Sequence, residues 1–173
     1  MRSRRDFVTL SAASIVTGFP LGSPTQQQTP TPAADTDALR SEFLLDLALD
    51  TQAPPNTIGF PGGDRVIVNV TGGSFQGPRL RGTIIAGGGD WIVQRPDGSR
   101  VLDVRIVMST DDGQKIYVSW GGIAYTENGT LFARIVPMFE TGSEKYAWLN
   151  RTVSVGVYRP MQGKVAFRLY RIL

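Results

Sequence analysis

The chain has 173 residues, 41% of them hydrophobic, enough for one domain with a proper core and too few for two ordinary ones. It contains neither cysteine nor histidine, which excludes disulfides, thiolate nucleophiles, zinc–sulfur sites and Ser-His-Asp chemistry and leaves any proton transfer to Asp, Glu, Lys or Tyr. The net charge is +3, but Arg2, Arg4 and Arg5 less Asp6 supply +2 of it at the N-terminus, so the remainder is close to +1 and no nucleic-acid partner follows.

The opening "MRSRRDFVTLSAASIVTGFPLGSP" pairs Arg4 with Arg5 ahead of an apolar run from Phe7 to Phe19. That run is too short to span a bilayer as a helix, so it predicts an export signal over residues 1–22 and no stable membrane anchor. "SRRDF" is similar to the twin-arginine export motif, which implies the twin-arginine machinery as a partner and the periplasm as destination. Residues 23–38, rich in Pro, Thr and Gln, have the composition of a disordered linker.

A single domain is expected over 39–173. "SEFLLDLALD" alternates, with Phe43, Leu45, Leu47 and Leu49 on one face, as in a half-buried strand, although an amphipathic helix also fits. "RVIVNVTGGSF" alternates again, and the chain then runs through short strands broken by glycines and by the turns "PDGS" and "DDGQ". "GTLFARIVPMFE", "TVSVGVYR" and "KVAFRLYRIL" supply the last strands, and no long segment after the signal has a helical period. The pattern predicts an all-β fold, a single antiparallel barrel of roughly eight to ten strands, with Gly72, Gly73, Gly77, Gly82, Gly121 and Gly122 at bulges and sharp coils.

The blocks "GGSFQGPRLRGTIIAGGGDW", "RPDGSRVLDVRIVMSTDDGQKIYVSWGG" and "YAWLNRTVSVGVYR", in that order, resemble the domain-of-unknown-function 3237 family of small β-barrel proteins, from about Phe43 to Leu173. The resemblance implies a closed or nearly closed barrel with an internal pocket. It implies no particular activity.

On "VLDVRIVM", Asp103 and Arg105 share one face with Val101 and Val107, against Leu102, Val104, Ile106 and Met108 on the other. With the apolar face packed outward under a covering layer, the acid and base would point into the barrel and serve as a catalytic pair. A salt bridge that only fixes register is the alternative. Arg134, in "FARIVPM", has the parity to aim at the same cavity. "GGGDW" reads as a barrel-mouth turn capped by Asp90, or as ligand contacts through Asp90 and Trp91; it lacks the ending of a phosphate-binding loop. "YAWLN" sets Tyr146, Trp148 and Asn150 on one side of an extended segment, fit to line a pocket or to plug one end of the barrel. Asp111 and Asp112 read as solvated turn residues. No metal site and no cofactor are expected. Two function classes remain: an exported barrel holding a small organic ligand, and a cofactor-free isomerase, lyase or cyclase in which Asp103 moves a proton and Arg105 or Arg134 steadies an oxyanion. Self-association into a homo-oligomer is compatible with both.

Overall fold

A computed structural model describes residues 38–173; the export signal and nearly all of the linker lie outside the described residues. The strands are β1 Ser41–Thr51, β2 Asn56–Phe60, β3 Gly63–Gln76, β4 Arg81–Gln94, β5 Arg100–Thr110, β6 Lys115–Glu127, β7 Thr130–Glu140, β8 Ser154–Met161 and β9 Lys164–Ile172, with a 3-10 helix over Glu144–Arg151. All ladders are antiparallel. They run β1-β9-β8-β7-β6-β5-β4-β3, and β3 pairs back onto β1, so eight strands close into a barrel while β2 extends the sheet along β3.

The turn chemistry follows the quoted motifs. Asp97 accepts from the backbone and hydroxyl of Ser99 in "PDGS", and Asn128 and Gly129, both at positive φ, make the two-residue turn between β6 and β7. Where β3 bulges against β4, Gly73, paired with Leu49 of β1, has a φ of 139°, and a Cβ there would lie 2.2 Å from the Ala48 carbonyl oxygen. Glycine therefore lets β1 and β3 approach closely enough to close the sheet.

β1 is a strand, as its alternation predicts, with Leu45, Leu47 and Leu49 buried. Phe43 departs from that face. A bulge between Phe43 and Leu45 puts Leu44 inside and turns Phe43 outward, beneath the Arg168 guanidinium. On the outer side of β1 and β9, Asp46 forms a two-point ion pair with its cross-strand neighbour Arg168, at 2.7 and 2.8 Å, and Glu42 pairs with Arg171. These partners set register more than stability.

The seam between β7 and β8 is the thinnest, with two residue pairs, Arg134 with Val157 and Ile135 with Gly156. The buried Ser154 hydroxyl reinforces it by donating to the Pro137 carbonyl at 2.8 Å. The segment expected to be extended around Tyr146 is instead the 3-10 helix. It lies at the barrel end that also holds the turns after β3 and β5, and it buries Tyr146 and Leu149. At that end Leu45, Met108, Ile116, Phe139 and Leu149 are buried in the core.

Gly73→Ala should lower stability by about 1–3 kcal/mol, because alanine at that φ is strained and its methyl meets backbone. Urea unfolding of the two proteins side by side measures this, with a lowered midpoint and an unchanged m-value as the expected result.

Candidate functional site

At the opposite end, on the side of the turns 95–99, 128–129 and 162–163, the lumen is not filled. A cavity of about 150 Å³ remains there, walled by side chains such as Val68, Ile92, Leu102, Val104, Trp120 and Phe167. That is the size of a cavity known to hold one benzene-like ring.

Register explains which side chains reach it. Residues directly opposite on neighbouring strands share a face. Val68, Asp90, Val104 and Trp120 therefore form one row across β3 to β6. The row formed by Gln94, Arg100, Ala124 and Ala133 lies nearer the mouth. Between them sit Ile92 and Leu102.

Asp90 is the acid among the residues lining this cavity. It reaches the interior by strand parity, and the bulge in β4 between Ile85 and Gly89, where the glycines of "GGGDW" sit, leaves that parity intact. A Cβ on Gly88 would lie 2.5 Å from the Arg105 carbonyl oxygen, so glycine permits this close passage. The bulge adds an even number of residues, so Ile84, Asp90 and Ile92 all keep the inward parity. One Asp90 oxygen accepts from the Asp103 backbone N–H at 3.1 Å. Burial among apolar groups pushes the carboxyl up to about 6, with that N–H opposing the rise and the nearby Asp103 charge adding slightly to it. A carboxyl of this kind exchanges protons near neutral pH.

The aromatic wall is organised around Phe167. Trp120 meets it edge-on at 6.3 Å and Tyr158 at 6.0 Å. Among the described residues, Trp120 Nε1 is a buried side-chain donor with no hydrogen-bond partner.

Asp103 and Arg105 do not point inward. The lumen side of β5 is the apolar row Leu102, Val104, Ile106 and Met108, all buried, and the acid and base form a half-exposed 3.1 Å ion pair on the outer surface. The physical reason is size and solvation: an eight-stranded lumen is just wide enough for side chains to fill, and a buried ion pair there would lose hydration that apolar groups do not need. Arg134 also faces outward, donating to the Ala133 carbonyl. Trp91 lies on the outer side of β4, with the Arg105 guanidinium 5.7 Å from its ring, in a surface cleft with Tyr117.

The "YAWLN" residues belong to the plugged end. Tyr146 is buried and donates to Asp112, Trp148 packs under the Arg79 guanidinium at 3.8 Å, and Asn150 exchanges hydrogen bonds with the Thr141 backbone. Asp112 is more than a turn residue: Lys145, Thr110 and Tyr146 all donate to it and hold its carboxyl down at about 2. Of the expected site residues, the structure brings Asp90 alone to the cavity. Trp120, Tyr158 and Arg100 are the lining residues that sequence reading missed. Their signal was parity, since each alternates in step with buried neighbours on its strand.

Two stability outcomes follow. Asp103→Asn should change stability by less than about 1 kcal/mol, because its ion pair is half-exposed. Asp90 behaves oppositely. Its folded value lies above the unfolded one of 3.8, so the folded state binds more protons between about 4 and 6 and loses stability as pH rises through that window. Asp90→Asn should therefore raise the melting temperature by several degrees above about pH 7, a gain on the order of 2–3 kcal/mol at most, and change it little below about pH 4. Calorimetric scans at the two pH values check both substitutions.

The model for the family described as "Protein of unknown function (DUF3237)" matches residues 39–172. A UPF0311 protein of Clostridium acetobutylicum is 27% identical over 124 residues, covering 64% of this chain and 78% of that protein. A protein of Penicillium herquei named hydroalkoxylation enzyme phnH is 33% identical over 92 residues, covering 53% of this chain and 56% of that protein. The crystal structure of a beta-barrel like protein from Acinetobacter baumannii AYE superimposes with a TM-score of 0.74 at 30% identity, covering 85% of this chain and all of that one. The crystal structure of an enzyme from Penicillium herquei gives a TM-score of 0.65 at 27% identity, covering 88% and 100%. By the match over nearly the whole described domain, the chain belongs to the DUF3237 family of β-barrel proteins.

Proposed function

We propose that the barrel is a cofactor-free catalyst that takes the apolar part of a small organic molecule into its lumen and transfers a proton through Asp90. The observation that carries this reading is a carboxyl held near neutral pH inside an apolar cavity. The bond change we assign is hydroalkoxylation, the addition of a hydroxyl across a carbon–carbon double bond to close a cyclic ether. The name of the Penicillium herquei relative supports it.

The chemistry suits the residues present. The protonated Asp90 carboxyl delivers its proton to one alkene carbon, and the substrate hydroxyl oxygen bonds to the other. The hydroxyl proton then returns to the Asp90 carboxylate. One group gives and regains one proton, no electrons are exchanged, and the lack of histidine is no obstacle. This reading moves the acid–base role from Asp103 to Asp90 and leaves Arg105 and Arg134 outside the reaction, on the outer surface. Val104 and Trp120 beside Asp90 exclude water from the reacting carbon.

The wider reading keeps the exported, ligand-holding barrel. Export by the twin-arginine route to the periplasm is supported by Arg4 and Arg5 ahead of the apolar run. Self-association is supported by Ile123, Tyr125, Val136 and Met138, exposed apolar residues on the adjacent outer faces of β6 and β7.

Hydroxyalkenes small enough for the cavity, incubated with the protein in D₂O, should close to cyclic ethers carrying one carbon-bound deuterium. Asp90→Asn should slow closure by about 100-fold or more while the protein stays folded. The rate should fall as pH rises through about 6, where the proton donor is lost. Turnover by Asp90→Asn at the wild-type rate would remove Asp90 from the reaction.

A further inference from the structure

We infer that the molecule accepted by the barrel is amphipathic and carries a carboxylate, which Arg100 holds at the mouth while the apolar body extends inward toward Asp90. This rests on the proposal that the cavity is a binding site, and it names the class of molecule that fits.

Arg100 occupies the lumen-facing row of β5, one alternate position beyond Leu102, and lines the cavity at its mouth. A cation in that row is out of keeping with the apolar residues that follow it. Its Nε donates to the Gln94 side-chain oxygen at 3.0 Å, and Gln94 is its cross-strand neighbour. That bond uses one N–H and orients the guanidinium, leaving the forked Nη groups available. Among the described residues no carboxylate pairs with Arg100; several other arginines, such as Arg65 and Arg134, share that property, but Arg100 is the cation that lines the cavity.

Of the other polar groups at the cavity, Thr51 and Tyr158 carry uncharged hydroxyls and Asp90 is an acid deeper in the lumen; the remaining wall is largely apolar. A single unpaired cation matches a single negative charge, and the flat two-point fork of a guanidinium matches a carboxylate. Position supports the same assignment. Arg100 and Asp90 face Gln94 and Val104 across the ladder, so they lie four residues apart along the β4–β5 pair, about 13 Å. The substrate anion then stays at the solvated rim, clear of the Asp90 charge. The apolar stretch between Ile92 and Leu102 accommodates the body of the molecule.

Phenylbutyrate and phenylbutanol form a matched pair of probes, equal in apolar body and different in charge at the end. Equilibrium dialysis against the full chain, at neutral pH and low salt, should show phenylbutyrate bound about tenfold more tightly than phenylbutanol. Arg100→Gln should abolish the difference and leave phenylbutanol binding unchanged. Equal binding of both probes to the wild type, or a preference that survives in Arg100→Gln, would overturn the carboxylate assignment while the cavity stands. If neither probe binds the wild type, or if both still bind when the cavity is filled by Ala133→Leu, the cavity reading fails and this inference with it. Thr51→Leu at the rim serves the same purpose should Ala133→Leu not fold, with circular dichroism as the check.

Discussion

An antiparallel sheet with two free edges and an apolar face cannot stay open in water, and the pairing of β1 with β3 encloses that face and joins the edges of the eight barrel strands, leaving the short β2 as the remaining edge. The ladder from Asp46 with Gln76 to Thr51 with Val70 turns a sheet into a tube. Once closed, the tube has one interior whose width is set by strand number, and every strand must present its bulkier apolar parity to it. The outward position of Asp103 and Arg105, the filled lower lumen and the cavity at the mouth all descend from that closure. The glycine bulge in β3 matters because it permits the close contact of β1 and β3 on which the ladder depends.

The barrel is unequal along its axis. One end is sealed by the 3-10 helix, whose Tyr146 and Leu149 are buried and whose Lys145 and Tyr146 join Asp112 and Thr110 in one hydrogen-bonded network. The other end carries the hairpin turns at 95–99, 128–129 and 162–163 and the connection from β1 to β2, and the cavity lies there. Sealing one end leaves a pocket open only toward the hairpin turns, with Asp90 set among its apolar walls. The raised carboxyl is a direct result of that geometry.

A carboxyl placed there costs folding stability above its titration range, and one backbone N–H offsets only part of the cost. The surface ion pairs of β1 and β9 compensate little, being exposed. What carries the fold is the apolar lumen, where each fully buried Leu or Ile contributes roughly 1.5–3 kcal/mol. The domain can hold one strained site because the rest of its interior, from Leu45 to Leu169, is packed without such demands.

Local pattern was enough for the strands and turns. Alternation marked Leu45, Leu47 and Leu49 as one face of a strand, and "PDGS" and "DDGQ" marked hairpin ends, because period and turn chemistry are properties of neighbouring residues. The absence of histidine and cysteine likewise restricted any proton transfer, from composition alone, to Asp, Glu, Lys or Tyr. Which acid faces the lumen was not legible. Parity separates Asp103 from Leu102 but does not say which of the two faces the lumen; that depends on how wide the closed tube is and how much hydration its interior can supply. Asp90 was legible only as one of two options, since "GGGDW" by itself reads as a barrel-mouth turn or as ligand contacts, and the strand that runs through it, bulge included, is defined only by its pairing with β5. The 3-10 helix at Tyr146 and the meeting of Arg100, Trp120 and Tyr158 around one cavity were decided by strand order and register, since these residues lie far apart in the chain and share a space only once the sheet has closed.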